Sequence, residues 1–278
     1  MDYRTVLVAL GADAACASRI RMAADLAGSF GAHVVGVSAT GLRLDPIRDF
    51  GDNAARHLDA SRRRLLSQAE LQRGILSETM GAHAPGVPFS HRVVEEEAGW
   101  VLAQEARVAD LVVMARPVAT QEVSSLAADP AEYVLLNAGR PVLLVPPAFQ
   151  PLHGGHAVIA WDGQREAARA VADAMPLLLR ASHVTIVAVW DVREEPQADT
   201  EPVAGLRQYL QRHGIVAGVR NVQKAGPVGS NILEAVSAVG GDMLVAGGYG
   251  HSRLRELVMG GTTRTLMRHA EVPLLLSH

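Results

Sequence analysis

The stretch Gly241–Gly250, GDMLVAGGYG, decides the fold of this 278-residue chain. The short run MLVA follows an aspartate, is continuously apolar, and leads directly into glycines. Such a run is typical of a strand in a parallel sheet that is covered on both faces. The glycines behind it predict a turn at the carboxyl end of the strand. This end of a parallel sheet is where α/β proteins bind ligands.

The same pattern occurs earlier in the chain, so the sequence contains an internal repeat. Two pairs of matching segments lie 132 residues apart and a third pair lies 152 residues apart, which makes the first half about twenty residues longer in its middle. The pairs are ADLVVMA (Ala109–Ala115) with GDMLVAG (Gly241–Gly247), AGRPVLLV (Ala138–Val145) with AEVPLLLS (Ala270–Ser277), and TVLVALG (Thr5–Gly11) with AVIAWDG (Ala157–Gly163).

Each half alternates short apolar runs with stretches that carry apolar residues at helical spacing, and this predicts β-α-β-α-β-α-β-α-β. Alternation with short connections favours a doubly wound parallel sheet. The predicted fold class is therefore α/β, with two tandem doubly wound parallel-sheet domains. We place them at residues 1–148 and 149–278, with the Pro- and Gly-rich segment Pro146–Gly155 as linker. In the second half we expect a helix around Val203–His213 that ends at Gly214.

Composition excludes several classes of protein. A hydrophobic share of 49% with 20% charged residues is that of a folded, core-forming chain. No apolar run reaches the roughly 20 residues that span a bilayer, and no secretory signal opens the sequence, so we expect a cytoplasmic protein and no membrane partner. A net charge of −3 does not favour nucleic acid. The single Cys16 excludes an internal disulfide.

Other motifs point to local structure. The two imidazoles of HGGH (His153–His156) lie in a glycine loop without a further fixed ligand, so we predict no metal site. GPVGSN (Gly226–Asn231) precedes a helix, for which Ser230 or Asn231 is the expected N-cap. Neither a P-loop nor a hydrolase nucleophile elbow occurs. We therefore assign no catalytic residue.

Ligand-binding candidates follow the strands of the second half at their carboxyl ends. Glycines there would let the backbone approach a phosphate and adopt positive φ, and hydroxyls before a helix would add an anion site. The same residues have a plainer interpretation, in which the glycines form turns and the threonines cap the helix before which they stand. In that interpretation Asp162 caps the helix that follows it in the sequence. The candidates are Asp162, Gly163, Val189, Gly247, Gly250, Gly260, Gly261, Thr262 and Thr263.

Several of these residues together carry a family resemblance. The spacing G247-x2-G250-x9-G260, followed by a small residue, with Asp162 after the first strand, resembles the universal stress protein family. The resemblance covers both halves and implies two Rossmann-like domains of the adenine nucleotide alpha hydrolase-like kind. It also implies ATP, with or without Mg²⁺, as the ligand, with Asp162 on the ribose, the backbone near Val189 on adenine, and the glycines on phosphate.

The resemblance is incomplete in both halves. Gly261 stands where the family has Ser or Thr, so the hydroxyl would have to come from Thr262. In the first half, the repeat places Ala115, Val118, Pro130 and Leu10 at the positions of Gly247, Gly250, Thr262 and Asp162. Added Cβ atoms would crowd phosphates, and a leucine accepts no hydrogen bond. We predict that the first half binds no ATP.

The predicted function is adenine-nucleotide binding by the second half, used in a stress response or in signalling, without enzymatic turnover. The strands RPVLLV and VPLLLS are the expected edges of an intramolecular pseudo-dimer, and a homodimer is a further expectation. The alternative is a nucleotide-independent interaction protein in stress tolerance, with protein partners unknown. A weak ATPase is the third hypothesis.

Overall fold

The computed structural model describes residues 2–41, 54–117, 129–148, 155–190, 201–250 and 261–278. Their helices and strands fall into two compact units. One contains the elements between residues 3 and 138, and the other contains those between residues 142 and 278. We call them the N-terminal unit and the C-terminal unit.

The N-terminal unit is a parallel sheet in the strand order β3-β2-β1-β4 with helices between the strands. The central strands β1 and β4 are almost entirely buried, as their apolar sequences predict. Its elements are β1 (Thr5–Ala9), α1 (Cys16–Phe30), β2 (His33–Ala39), α2 (Ala54–His83), β3 (Phe89–Val94), α3 (Ala98–Ala106), β4 (Leu111–Ala115) and α4 (Pro130–Asn137).

The C-terminal unit has the strand order β5-β10-β9-β6-β7-β8. All its neighbouring strands are parallel except β5, which runs antiparallel to β10. Its elements are β5 (Val142–Val145), β6 (His156–Ala160), α5 (Arg165–Leu178), β7 (His183–Trp190), α6 (Glu201–Arg212), β8 (Ala217–Gln223), α7 (Val228–Ala238), β9 (Met243–Gly247), α8 (Thr262–His269) and β10 (Leu274–Ser277).

The sheet order of the C-terminal unit creates a crevice at a defined place. The chain runs from β6 outward through β7 to β8, and then returns to place β9 on the other side of β6. In doubly wound sheets a crevice opens at such a switch in strand order, here between β6 and β9. Residues near the carboxyl ends of β6, β7 and β9 surround this crevice. The fold class predicted from the sequence is confirmed.

The repeated aspartates have the same structural task in both units. Asp110 and Asp242, 132 residues apart, stand just before the strands β4 and β9. The Oδ2 atom of Asp110 accepts hydrogen bonds from the backbone N–H groups of Arg4 and Thr5, at 2.7 and 2.9 Å. Asp242 Oδ2 accepts one from His156 N at 2.7 Å. The two carboxylates thus fix the starts of β1 and β6, so the repeat preserves a sheet contact.

Helix ends agree with the sequence prediction in one case and differ in another. Helix α6 ends at Arg212, and Gly214 adopts φ +82°, as expected of a glycine that terminates a helix. The predicted cap at Ser230 or Asn231 is wrong, because Pro227 is the N-cap of α7. The Asn231 side chain instead bonds both the N–H and the carbonyl of Ala225. It braces the turn before the helix.

The described helices include none that is long and apolar enough to cross a membrane.

Candidate functional site

A cavity of about 270 Å³ opens at the carboxyl ends of β6, β7 and β9 in the C-terminal unit. It lies at the switch in strand order, where doubly wound sheets bind ligands. Six of the nine candidate residues line it together. The lining residues are Ala160, Trp161, Asp162, Ala167, Val187, Val189, Val228, Ile232, Ala246, Gly247, Gly250, Thr262, Thr263 and Leu266.

Asp162 is an exposed carboxylate at the mouth of the cavity. Its Oδ1 atom accepts a hydrogen bond from Gln164 N at 2.9 Å, which holds a tight turn between β6 and α5. Gly163, inside this turn, has φ +74°, a conformation that favours glycine. The N-cap of α5 is Gln164, so Asp162 organises the turn before the helix and does not cap the helix itself.

The inner wall of the cavity is apolar. Val187 and Val189, on β7, form one part of it. Val228 and Ile232, on α7, form another part that the sequence interpretation missed. Trp161, directly after β6, also lines the cavity. Apolar walls with a few polar groups at the mouth are the usual composition of a small-molecule site.

Gly247 is packed tightly against the first turn of α5. A Cβ atom at this position would lie 2.5 Å from the backbone nitrogen of Ala167 and 2.7 Å from the carbonyl carbon of Glu166. Both distances are well below van der Waals contact. The absence of a side chain therefore lets β9 and α5 approach, and this packing requirement holds whether or not a ligand is bound.

Gly250 also faces α5. A Cβ atom there would lie 2.7 Å from Oε2 of Glu166. The prediction of positive φ at Gly247 and Gly250 is wrong, because neither φ lies in the left-handed region. Tyr249 has φ +56° instead, and its N–H donates to Thr263 Oγ1 at 3.0 Å. The turn after β9 is therefore fixed by a residue that the motif leaves unspecified.

Glu166 is a buried carboxylate next to the cavity. Its side chain is 5% exposed and forms an ion pair with Arg165, whose side chain is 86% exposed. Burial opposes the charge, but hydrogen bonds from Arg165 and from its own backbone N–H, with the nearby charges of Arg165 and His278, keep the pKa of Glu166 below its ordinary value. Glu166 is therefore ionised at neutral pH.

Helix α8 provides the outer edge of the cavity. Gly261 is its N-cap, and no side chain caps the helix there. Thr262 and Thr263 form the first turn and both line the cavity. The Thr263 hydroxyl is engaged by the Tyr249 N–H, so it ties the loop after β9 to α8. Gly260 lies outside the described residues, and the predictions for it stay untested.

The main residue that the sequence interpretation missed is Glu166. Its position in the first turn of α5, the helix after β6, was a usable signal, because that turn adjoins the same crevice. Gly163 and Gly261 were predicted in the site but are absent from the cavity lining. Gly163 lies in the turn that follows Asp162, and Gly261 is the N-cap of α8.

The equivalent region of the N-terminal unit is occupied by an ion pair. Arg19, on α1, is 2% exposed, and its Nε atom donates to the carbonyl of Ala9 at the end of β1, at 3.1 Å. Its two terminal nitrogens donate to the two carboxylate oxygens of Asp13, at 2.8 and 2.9 Å. This hydrogen bond from Arg19 is the main cause that lowers the pKa of Asp13. A guanidinium and a carboxylate thus lie at the carboxyl end of β1.

Leu10 follows β1 at the repeat position of Asp162. A Cβ atom on Gly36 of β2 would lie 3.1 Å from a methyl group of Leu10 and 2.6 Å from one of Leu76. Leu10 therefore packs over the sheet beside α2. Helix α4 begins with Pro130 behind the N-cap Asp129, so its first turn starts without the backbone N–H that Thr262 has at the matching place.

Comparisons with known proteins identify the family. A model of the universal stress protein family matches residues 2–146 and again residues 155–278. Among curated relatives, universal stress protein Slr1230 from Synechocystis sp. is 27% identical over 145 residues, which are 52% of this chain and 49% of that protein. The match thus spans about half the length of this relative.

Solved structures share the fold at low sequence identity. A universal stress protein from Archaeoglobus fulgidus DSM 4304 superposes with a TM-score of 0.75 at 15% identity, over 98% of this chain and 97% of that one. A functionally unknown protein from Pseudomonas aeruginosa PAO1 gives 0.60 at 15% identity, over 99% and 92%. The family model matches both halves of the sequence, and the chain therefore belongs to the universal stress protein family.

Proposed function

We propose that the chain binds an adenine nucleotide in the cavity of its C-terminal unit. The observation that carries the proposal is the convergence of Asp162, Val189, Gly247, Gly250, Thr262 and Thr263 on one cavity at the switch in strand order. These residues come from two strands (β7 and β9), the two loops after β6 and β9, and helix α8, and they combine an apolar slot with polar groups at its mouth. A nucleoside phosphate has the same division into an apolar base and a polar remainder.

Each part of the cavity suits one part of the ligand. The apolar wall that includes Val187 and Val189 suits a planar base. The Asp162 carboxylate at the mouth can accept hydrogen bonds from ribose hydroxyls. The first turn of α8 has backbone N–H groups without intrahelical partners, and these with the Thr262 hydroxyl would hold phosphate. Mg²⁺, if bound with the nucleotide, would lower the charge of its phosphates.

The N-terminal unit does not bind the nucleotide in this proposal. The Arg19–Asp13 pair lies at the carboxyl end of its first strand, and Leu10 replaces the ribose-binding acid. Ligand entry would require displacement of a buried guanidinium from its carboxylate, which is energetically costly. One nucleotide per chain is therefore expected.

Isothermal titration of ATP and of adenosine into the full chain tests the proposal. Wild type should bind with a stoichiometry of about one, and Asp162→Ala should bind at least about tenfold more weakly through the lost ribose contacts. Glu271→Gln, an exposed carboxylate before β10 at the opposite end of the strands, is the matched control and should bind like wild type. Undetectable binding of both ligands to wild type would refute the proposal.

We propose that binding serves sensing or signalling in a stress response, without turnover. Phosphate release from ATP should then remain at the buffer background. A rate above background that disappeared in Asp162→Ala would establish an ATPase instead.

A second candidate function is partner binding that does not depend on nucleotide. The tight packing of Gly247 against α5 favours it, because this packing explains the glycine without any ligand. Pull-down from cell extract with and without ATP separates the two functions. Partner recovery that ATP leaves unchanged, together with no ATP binding in titration, would favour the second.

A further inference from the structure

A negative charge of the chain itself lies against the phosphate side of the cavity. Glu166 contacts Gly250, which lines the cavity, and its neighbour Ala167 lines it as well. The Glu166 carboxylate therefore adjoins Gly250, which lines the same cavity as the first turn of α8, where the proposed function places phosphates. No motif marks this residue. It follows Asp162 by four positions and lies in the first turn of α5.

The charge of Glu166 is only partly compensated. Its partner Arg165 extends into solvent with 86% of its side chain exposed, whereas the Glu166 side chain is 5% exposed. Water screens an exposed charge far more than a buried one. Of these two charges, the Glu166 carboxylate is therefore the less screened, although the two residues form an ion pair.

Glu166 also occupies the positive end of a helix. Its carboxylate accepts a hydrogen bond from its own backbone N–H in the first turn of α5. The N-terminus of a helix attracts anions, and here the anion belongs to the chain. The end of α5 that approaches the cavity is thus unavailable to a phosphate, whereas the first turn of α8, which lines the cavity, has no side-chain cap.

We propose that Glu166 is a specificity-determining residue that selects adenine ligands by the charge of their phosphates. The inference rests on the proposed function and deepens it. Adenosine and nucleotides of low charge are accepted, whereas ATP without a divalent cation is disfavoured because each added phosphate charge is repelled by the carboxylate. Mg²⁺ on the phosphates lowers their net charge and reduces this repulsion.

The ligand series adenosine, AMP, ADP and ATP tests the proposal. Each is titrated into wild type and Glu166→Gln in low-salt buffer with a chelator. The variant should bind ATP at least about tenfold more tightly than wild type does. Its affinity for AMP should rise by a smaller factor, and its affinity for adenosine should stay within about twofold of wild type. The gain should therefore grow with ligand charge and shrink when Mg²⁺ is added. A packing change would alter the affinity for all four ligands by the same factor.

Two further variants complete the experiment. Glu271→Gln removes a distant carboxylate and should leave the ratio of ATP affinity to adenosine affinity unchanged. Arg165→Gln removes the exposed partner and should lower ATP affinity relative to adenosine, the opposite sign to Glu166→Gln; it also serves if Glu166→Gln does not fold. Equal ATP-to-adenosine ratios in wild type and both variants would overturn the inference and leave the proposed function intact. Absence of binding of all four ligands to all proteins would overturn both.

Discussion

Replacement of Gly247 by alanine tests whether this glycine is required by the protein or by a ligand. The new Cβ would lie 2.5 Å from Ala167 N and 2.7 Å from the Glu166 carbonyl carbon, where ordinary contacts are about an ångström longer. Both neighbours are backbone atoms of α5, which cannot rotate away. The strand and the helix must separate, and overpacking of this kind costs about 1–3 kcal/mol.

Urea unfolding of the full chain without nucleotide measures this cost. Gly247→Ala should lower the free energy of unfolding by about 1–3 kcal/mol, a shift of about 1 M in the midpoint of its transition. Gly205→Ala is the matched control, because Gly205 lies exposed within α6 and its added Cβ meets no atom within 4 Å. This control should gain about 0.5–1 kcal/mol.

The comparison with Gly250→Ala sharpens the result. The nearest atom there is the carboxylate end of Glu166, a side chain that can move, so the cost should stay below about 1 kcal/mol. If Gly247→Ala proved as stable as wild type while nucleotide binding was lost, the glycine would serve the ligand alone. The packing argument would then be refuted.

Substitutions at three other residues test the described contacts. In the same urea unfolding experiment, Thr263→Val should lower the free energy of unfolding by about 1–2 kcal/mol, because it removes the hydroxyl that accepts from the Tyr249 N–H. Thr263→Ser keeps the hydroxyl and should stay near wild type. Asp110→Ala should lower the free energy of unfolding by about 1–2 kcal/mol, because the hydrogen bonds from Arg4 and Thr5 are lost. Hydrogen exchange should then show faster opening at the start of β1. Unchanged exchange there would count against this role of Asp110. The pKa of Asp13 is lowered in the folded state, so its contribution to stability is complete above its ordinary range and is lost as the pH falls through the folded value. Asp13→Asn should therefore destabilise the chain by about 1 kcal/mol at pH 7, and this difference should shrink as the pH falls below the ordinary carboxylate range. A difference that stays constant as the pH falls would contradict the ion-pair account.

Much of the fold could be predicted from the sequence because its signals are local. The apolar runs that became β6 and β9 are too short and too continuous for an amphipathic helix, and Gly214 marked the end of α6. The repeat carried this interpretation from one half to the other. The contacts of Asp110 and Asp242 show that a repeated polar residue at a strand end can serve the sheet.

The candidate site could be predicted only in part, because its decisive contacts join segments distant in sequence. Asp162, Val189 and Gly247 were found because the carboxyl ends of parallel strands meet at one edge. The approach of Glu166 to Gly250 depends on the position of α5 over the sheet, which no local pattern encodes. The left-handed Tyr249 was missed for a different reason, since a bulky residue rarely adopts that conformation.

The most direct test of the account is to locate the adenine base on the chain. Photolabelling of the full chain with 8-azido-ATP and Mg²⁺, followed by mass spectrometry of the peptides, identifies the residues next to the base. The account predicts one label per chain, in the peptide that carries Val187 and Val189, and competition by unlabelled ATP. A label at the end of β2 in the N-terminal unit, around Ala39, would contradict it.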